Sequence, residues 1–204
     1  MNRSVSSAEL HHVLYRMAER ATAGLSFYDF LRSVHALLGE LLYAKNFYVC
    51  LSNVARQTLD FPYYVDERDG DTMQCNDVPM RRGLTEFVLR TGVPQLIDAG
   101  RFPALVASGD VTEATGDLTF SAWLGVPLPL HGGVGGVLVV QSYEQVRRYT
   151  RAEMSLLTFV AEHILTALER RGRLRRVHGG AIPVERLGIE PGVADRETRA
   201  AGEK

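Results

Sequence analysis

Several things are scarce in this 204-residue chain. It has two cysteines, Cys50 and Cys75, too few for a disulfide framework. No apolar run approaches the ~18 residues that cross a bilayer. Charge is nearly balanced, with 23 Lys+Arg against 24 Asp+Glu, so nothing global points to nucleic acid or an anionic membrane. Met1 to Glu9 hold no apolar stretch and no cleavage pattern, so no secretory signal is expected and the cytoplasm is the expected location. What is plentiful is core material: hydrophobic residues make up 46% of the chain, enough for one sizeable domain with extensions.

The motifs of common chemistries are also missing. Among His11, His12, His35, His131, His163 and His178, no pair stands at the i, i+4 spacing that puts two metal ligands on one helix face. A single histidine can ligate haem iron, but His131 reads as a turn residue and His163 as a solvent or interface residue. The acidic run from Asp66 to Asp71 lacks the alternating oxygens and distal glutamate of a calcium loop. Gly132, Gly133, Gly135 and Gly136 are followed by a strand rather than by Lys-Ser/Thr and a helix, so they form no phosphate loop.

The hydrophobic periods then set out the elements. Ser6 and Glu9 have capping-box spacing, and Leu10, Val13, Leu14, Met17, Ala18 and Ala21 follow on one helical face, with Gly24 as the stop. Ser26 opens a second helix whose stripe from Phe27 to Leu42 is broad enough to need a sheet as partner. Alternation then predicts strands over 46–52 and 59–65. Their short connection implies an antiparallel hairpin, and Pro62 places the second strand at an edge or gives it a bulge. Residues 66–82 read as polar and irregular. A short helix from Gly83 to Gly92 and a short strand over 95–98 follow. Residues 99–121 show no clear period beyond a short helix near 103–107, and so long a connection suggests function. Strands over 122–130 and 134–142 form a second hairpin. Thr150 and Glu153 cap a last helix to about Arg171, where Leu156, Phe159 and Val160 widen the apolar face enough for a second partner. Arg170, Arg171, Arg173, Arg175 and Arg176 lead into a polar tail that reads as solvated linker. The order predicts an α+β sandwich.

Three stretches carry a family resemblance. The first is Asn46-Phe47-Tyr48 with Phe61 to Glu67. The second is Arg82 to Gly92. The third joins Trp123-Leu124-Gly125-Val126-Pro127-Leu128, Gly136 to Tyr143, Tyr149-Thr150 and the helix to Arg171. Together, over residues 8–171, the chain resembles a GAF domain of the type found ahead of bacterial sensor histidine kinases and diguanylate cyclases. The resemblance implies a six-stranded antiparallel sheet, terminal helices on one face and a ligand-pocket insertion on the other. It implies a homodimer through residues 8–23 and 153–171. The division is then an N-terminal helix (1–24), the GAF-like domain (25–171) and the basic tail (172–204). Where the relatives' last helix runs into a catalytic output domain, the tail follows Arg171 here. The output, a histidine kinase or diguanylate cyclase, then lies either beyond this sequence or on a separate partner.

The expected pocket pairs aromatic walls with a few placed polar groups. The walls are Tyr48, Tyr63 or Tyr64, Phe87 and Trp123, and the polar groups are Thr85, Glu86, Asp98, Ser121 and Gln141. For any one of these, core packing or capping is the plainer account; as a group they favour a pocket with an unidentified small molecule. A bilin would need the Cys-His pair of the phytochrome-like relatives, which this sequence lacks. A methionine sulfoxide reductase would need paired thiols, and Cys50 and Cys75 show no such pattern. The cyclic-nucleotide motif of some relatives is unmatched. A sensor that binds a small molecule is therefore expected ahead of a ligand-free dimerising scaffold, and that scaffold ahead of a thiol enzyme.

Overall fold

In the computed structural model, residues 6–68, 70–114, 116–130 and 133–172 are described, with side chains left undescribed at 70–74, 130, 133–134 and 167–172. The expected tail lies outside them from residue 173 on, as do Asp69, His131 and Gly132.

Among the described residues eleven elements follow one another: α1 (Ser7–Thr22), α2 (Phe27–Gly39), β1 (Asn46–Asn53), β2 (Thr58–Asp66), β3 (Gly70–Pro79), α3 (Leu84–Thr91), β4 (Gln95–Asp98), α4 (Arg101–Ala107), β5 (Ala122–Leu130), β6 (Gly133–Ser142) and α5 (Arg151–Gly172). The strands form a single six-stranded antiparallel sheet in the order β3-β2-β1-β6-β5-β4. The helix starts are built as the sequence predicts. The Ser6 hydroxyl accepts the Glu9 amide at 3.2 Å while the Glu9 carboxylate takes the Ser6 amide at 2.9 Å, and Thr150 and Glu153 repeat the arrangement. Gly24 (φ +67°) and Gly92 (φ +66°) hold the left-handed backbone that ends a helix.

Side-chain alternation divides the interior in two. On one face Phe47, Val49, Leu51, Leu124, Val126, Leu128, Leu138 and Val140 meet Phe27, Phe30, Leu31 and Leu38 of α2 and Leu157, Val160, Ala161 and Ile164 of α5. On the other, Tyr48, Cys50, Leu59, Trp123, Val137 and Val139 meet Leu84, Phe87 and Val88 of α3, with Leu105, Val111 and Phe120 from the long connection. Each large apolar side chain buried this way contributes about 1.5–3 kcal/mol. The terminal helices therefore cover one face and the insertion the other, as expected.

Two expectations need correction. Residues 70–79 form the edge strand β3 rather than an irregular segment, so Cys75 sits on a strand, opposite Phe61. Its sequence carries no apolar alternation because it has one neighbour and little core to cover. Tyr63 belongs to the helix-side core, not to the pocket face. Of the two outcomes offered for Pro62, an edge or a bulge, the strand takes the bulge: β2 lies inside the sheet. Val49 pairs with Tyr63 but Leu51 pairs with Asp60, so an extra β2 residue sits between them. The bulge shifts the alternation by one. Leu59 and Phe61 face the pocket side, Tyr63 the helices, and Tyr64 the pocket side again.

Candidate functional site

Between the sheet and the insertion lies a cavity of about 220 Å³. Tyr48, Phe61 and Tyr64 build one aromatic wall, with Tyr48 and Tyr64 stacked at 5.5 Å and Phe61 5.8 Å from Tyr48. Trp123 and Phe120 build the other; Trp123 is the chain's single tryptophan. Gly83 to Glu86, the start of α3, line one end, and Ala114, Gly116, Asp117 and Leu118 of the connection line the mouth. Gln141, the cross-strand partner of Trp123, lines it from β6.

The polar groups are held by specific partners. Tyr48 Oη and Thr85 Oγ1 are 2.9 Å apart. Burial raises the Tyr48 phenol well above its ordinary pKa, against the opposing pull of its bond to Thr85, so it stays neutral. The Glu86 carboxylate accepts the Arg81 amide at 2.9 Å and the Gly83 amide at 3.1 Å, which caps α3. Gln141 donates from Nε2 to the buried Asp66 carboxylate and to Tyr143 Oη at 2.9 Å; Tyr143 Oη in turn lies 3.0 Å from Asp66 Oδ2. At the mouth, Asp117 accepts the Thr119 hydroxyl at 2.6 Å and the Arg68 guanidinium at 2.7 Å. These bonds, the Thr119 hydroxyl first, hold its carboxyl down at about 2, so it is ionised at neutral pH. The same guanidinium lies 4.0 Å over the Tyr143 ring.

Of the residues singled out from sequence, Tyr48, Thr85, Glu86, Trp123 and Gln141 come together on this cavity, with Tyr64 as the tyrosine of its pair. Four do not. Tyr63 packs on the opposite face, its hydroxyl 2.9 Å from His35 Nδ1. Phe87 points into the core beneath α3. Asp98 accepts the Gly100 and Arg101 amides at 3.0 and 2.8 Å and so shapes the start of α4, which also lowers its pKa. Ser121 lies 2.9 and 2.6 Å from the Ser142 and Glu144 carbonyls and fastens the start of β5 to the end of β6. Sequence reading missed Phe61, Leu84, Phe120 and the rim residues Ala114, Gly116, Asp117 and Leu118. Phe61 was detectable as an aromatic within a predicted strand and Phe120 as one just ahead of another; the rim residues carry no periodic signal.

A second depression, about 440 Å³, lies between α1 and the end of α2, bordered by Glu9, His12, Val13, Gly39, Glu40 and Leu41. It has no aromatic wall. Among the described residues, no three His, Cys, Asp or Glu side chains come together as a metal site. Cys50 is fully buried and burial pushes its thiol up, while Cys75 is half-buried. The strand β2 separates them, which puts their Cα atoms roughly 10 Å apart, beyond disulfide reach. No helix among the described residues is long and apolar enough to cross a membrane.

A family model described as GAF domain matches residues 27–168. No curated protein matches the sequence. Among solved structures, the GAF domain of a phosphoenolpyruvate-protein phosphotransferase from Coxiella burnetii is similar at a TM-score of 0.59 and 16% identity, over 81% of this chain and 96% of that one. The free methionine-R-sulfoxide reductase from Neisseria meningitidis, solved with its substrate, matches at 0.59 and 17%, over 83% and 96%. The phycoerythrobilin-bound GAF domain of a cyanobacterial phytochrome matches at 0.60 and 13%, over 81% and 97%. At these identities the likeness is one of fold.

Proposed function

The chain belongs to the GAF domain family, and from that premise we propose that it is a cytoplasmic sensor domain that binds a small molecule and signals through its terminal helices. The observation that carries this reading is the cavity itself, walled by Tyr48, Phe61, Tyr64, Phe120 and Trp123 with Thr85 and Gln141 placed on it. Aromatic walls with a few fixed polar groups are what a small-molecule site needs.

The chain's connectivity supports transmission. Gln141 and Tyr143, joined to each other and to Asp66, stand at the end of β6, and the chain runs from there directly into α5. Within that connection Arg147 pairs with Glu153 of α5 and sits 5.5 and 5.6 Å from the Tyr43 and Tyr149 rings. A ligand that resets Gln141 shifts an equilibrium of α5 positions only by its differential affinity for them. In this reading α1 and α5 pair with a second copy. Among the described side chains, Tyr15 (64% exposed) and Phe159 (39%) are the large apolar ones those helices leave to solvent. The domain then spans 25–171, with 1–24 as signalling helix and 172–204 as the link towards an output domain or partner of the kinase or cyclase kind.

A non-enzymatic role fits the cysteines better than thiol chemistry does: Cys50 is sealed in the core and out of reach of Cys75. A scaffold with a permanently empty pocket remains the competing reading. A thermal-shift and Trp123-fluorescence screen against metabolites separates the two. A saturable shift, lost in Tyr64→Ala with the fold intact, supports the sensor. A library without effect leaves the scaffold. A ligand at 100 times its Kd adds about 2.7 kcal/mol.

A further inference from the structure

The charge on the cavity lining is one-sided. Two carboxylates, Glu86 and Asp117, are on its lining; among the described lining residues none is Lys, Arg or His. A third carboxylate, Asp66, lies buried directly behind Gln141. A phosphate or carboxylate entering here would meet aromatic faces and like charge, and the basic group at the mouth, Arg68, is already paired with Asp117. A cation would meet aromatic faces, which attract it, and a fixed ionised acid.

The chain already seats one cation in this way. Arg68, from the turn after β2, reaches to the mouth, where its guanidinium lies 4.0 Å over Tyr143 and 2.7 Å from Asp117. Thr119 holds Asp117 in place through both its amide, at 2.8 Å, and its hydroxyl. Arg68 also donates to the Thr119 hydroxyl, but the Thr119 amide anchors Asp117 Oδ1 without it. The pair is solvent-accessible, with the two side chains 41% and 25% exposed, so it is weak and exchangeable.

Resting on the sensor reading above, we propose that the cavity's ligand is a compact organic cation with an apolar or aromatic body. Its ammonium or amidinium group takes the Asp117 carboxylate from Arg68 as it enters. Arg68 is then an internal competitor, and release of its side chain is the first step of the response.

The test is a Trp123-fluorescence titration with three compounds of one shape and different charge: benzylammonium, benzyl alcohol and phenylacetate. Each is run on the wild-type chain, Arg68→Gln and Asp117→Asn, with circular dichroism to show that both variants fold. The cation should bind roughly threefold or more tightly than the alcohol, and phenylacetate more weakly still. Arg68→Gln should tighten the cation and leave the alcohol unchanged, whereas Asp117→Asn should weaken the cation. Opposite signs are required, because a merely structural pair would weaken binding in both variants. The proposal is overturned if phenylacetate binds as well as the cation, or if Arg68→Gln fails to tighten it. It is equally overturned if none of the three binds while an uncharged or anionic metabolite does; in that case, as with phenylacetate, the sensor reading stands. If these compounds and the metabolite library all fail, both readings fall together.

Discussion

The indole of Trp123 lies across the backbone of Gly125, two residues further along the same strand and on the same face. A Cβ built on Gly125 would stand 2.2 Å from Trp123 Cη2 and 2.6 Å from Cζ3. Glycine at 125 is therefore the vacant place in which the ring lies flat, and the ring in turn is a wall of the cavity.

Replacing Gly125 with alanine should drive the indole off the sheet. Trp123 is only 2% exposed, so the open direction is the cavity. The expected cost is that of an overpacked core, about 1–3 kcal/mol, together with a red-shifted emission. Urea denaturation followed by fluorescence checks both. An alanine variant with wild-type midpoint and spectrum would mean that the ring does not rest on Gly125.

His35 makes the stability depend on pH from the other side of the sheet. Its Nε2 donates to the Ala44 carbonyl at 2.6 Å, which leaves Nδ1 to accept the Tyr63 hydroxyl at 2.9 Å, and its ring stacks on Phe47 at 4.7 Å. Burial is the main cause that lowers its pKa from the ordinary 6.5. The unfolded chain then takes up the proton at a higher pH than the native one does, so the native state binds fewer protons. Stability should therefore rise with pH up to about 6.5 and fall as acid is added, with a slope of at most about 1.4 kcal/mol per pH unit. His35→Gln keeps an amide between the same partners and should flatten that part of the curve. Equal pH profiles for the two proteins would exclude His35 as the source.

Tyr63 and Tyr64 show where sequence reading succeeds and where it stops. Alternation over Leu59, Phe61, Tyr63 and Val65 marks a strand correctly, and of the edge or bulge that Pro62 implies the strand takes the bulge. Which face each residue takes depends on where the bulge falls, and that is set by pairing with Val49 and Leu51 on the neighbouring strand β1. A one-residue slip exchanges Tyr63 for Tyr64. The helices and the inner strands were legible because each buries a periodic apolar face. β3 was not, because its order comes from backbone pairing with β2 at a sheet edge. The long connection that carries the cavity's rim is likewise held by groups with no period: Arg82 and Arg90 donate to the Gly109 and Asp110 carbonyls at 3.0 and 2.6 Å.

The cysteines should differ sharply in reactivity. Cys50 is sealed between β1 and α3's core, and burial disfavours its thiolate. Cys75 is half-buried on the edge strand. A thiol-disulfide reagent should label one cysteine per native chain quickly and the second only after denaturant is added. Cys75→Ser should abolish the fast reaction and leave ligand-induced Trp123 fluorescence changes intact. Rapid labelling of both thiols in native buffer would contradict the burial of Cys50.

Asp66 joins the cavity's floor to its stability, and this is the prediction with most consequence for signalling. The carboxylate is 3% exposed and accepts from Gln141 Nε2, from Tyr143 Oη at 3.0 Å and from the Arg68 amide at 2.9 Å. Asp66→Ala leaves those donors without their acceptor in a site closed to water, at an expected cost of about 2–4 kcal/mol. Asp66→Asn keeps the shape but turns an NH₂ towards one of the donors, so it should fall between alanine and wild type. Because Gln141 loses the group that fixes its amide, ligand affinity should drop in both variants even where the fold persists. Because Tyr143 precedes the connection to α5, amide exchange at the start of that helix should quicken in the same order. A variant as stable as wild type would show that Gln141 and Tyr143 find other partners. A loss of stability without faster exchange at α5 would place Asp66 in the floor of the cavity and remove it from the route to the helix.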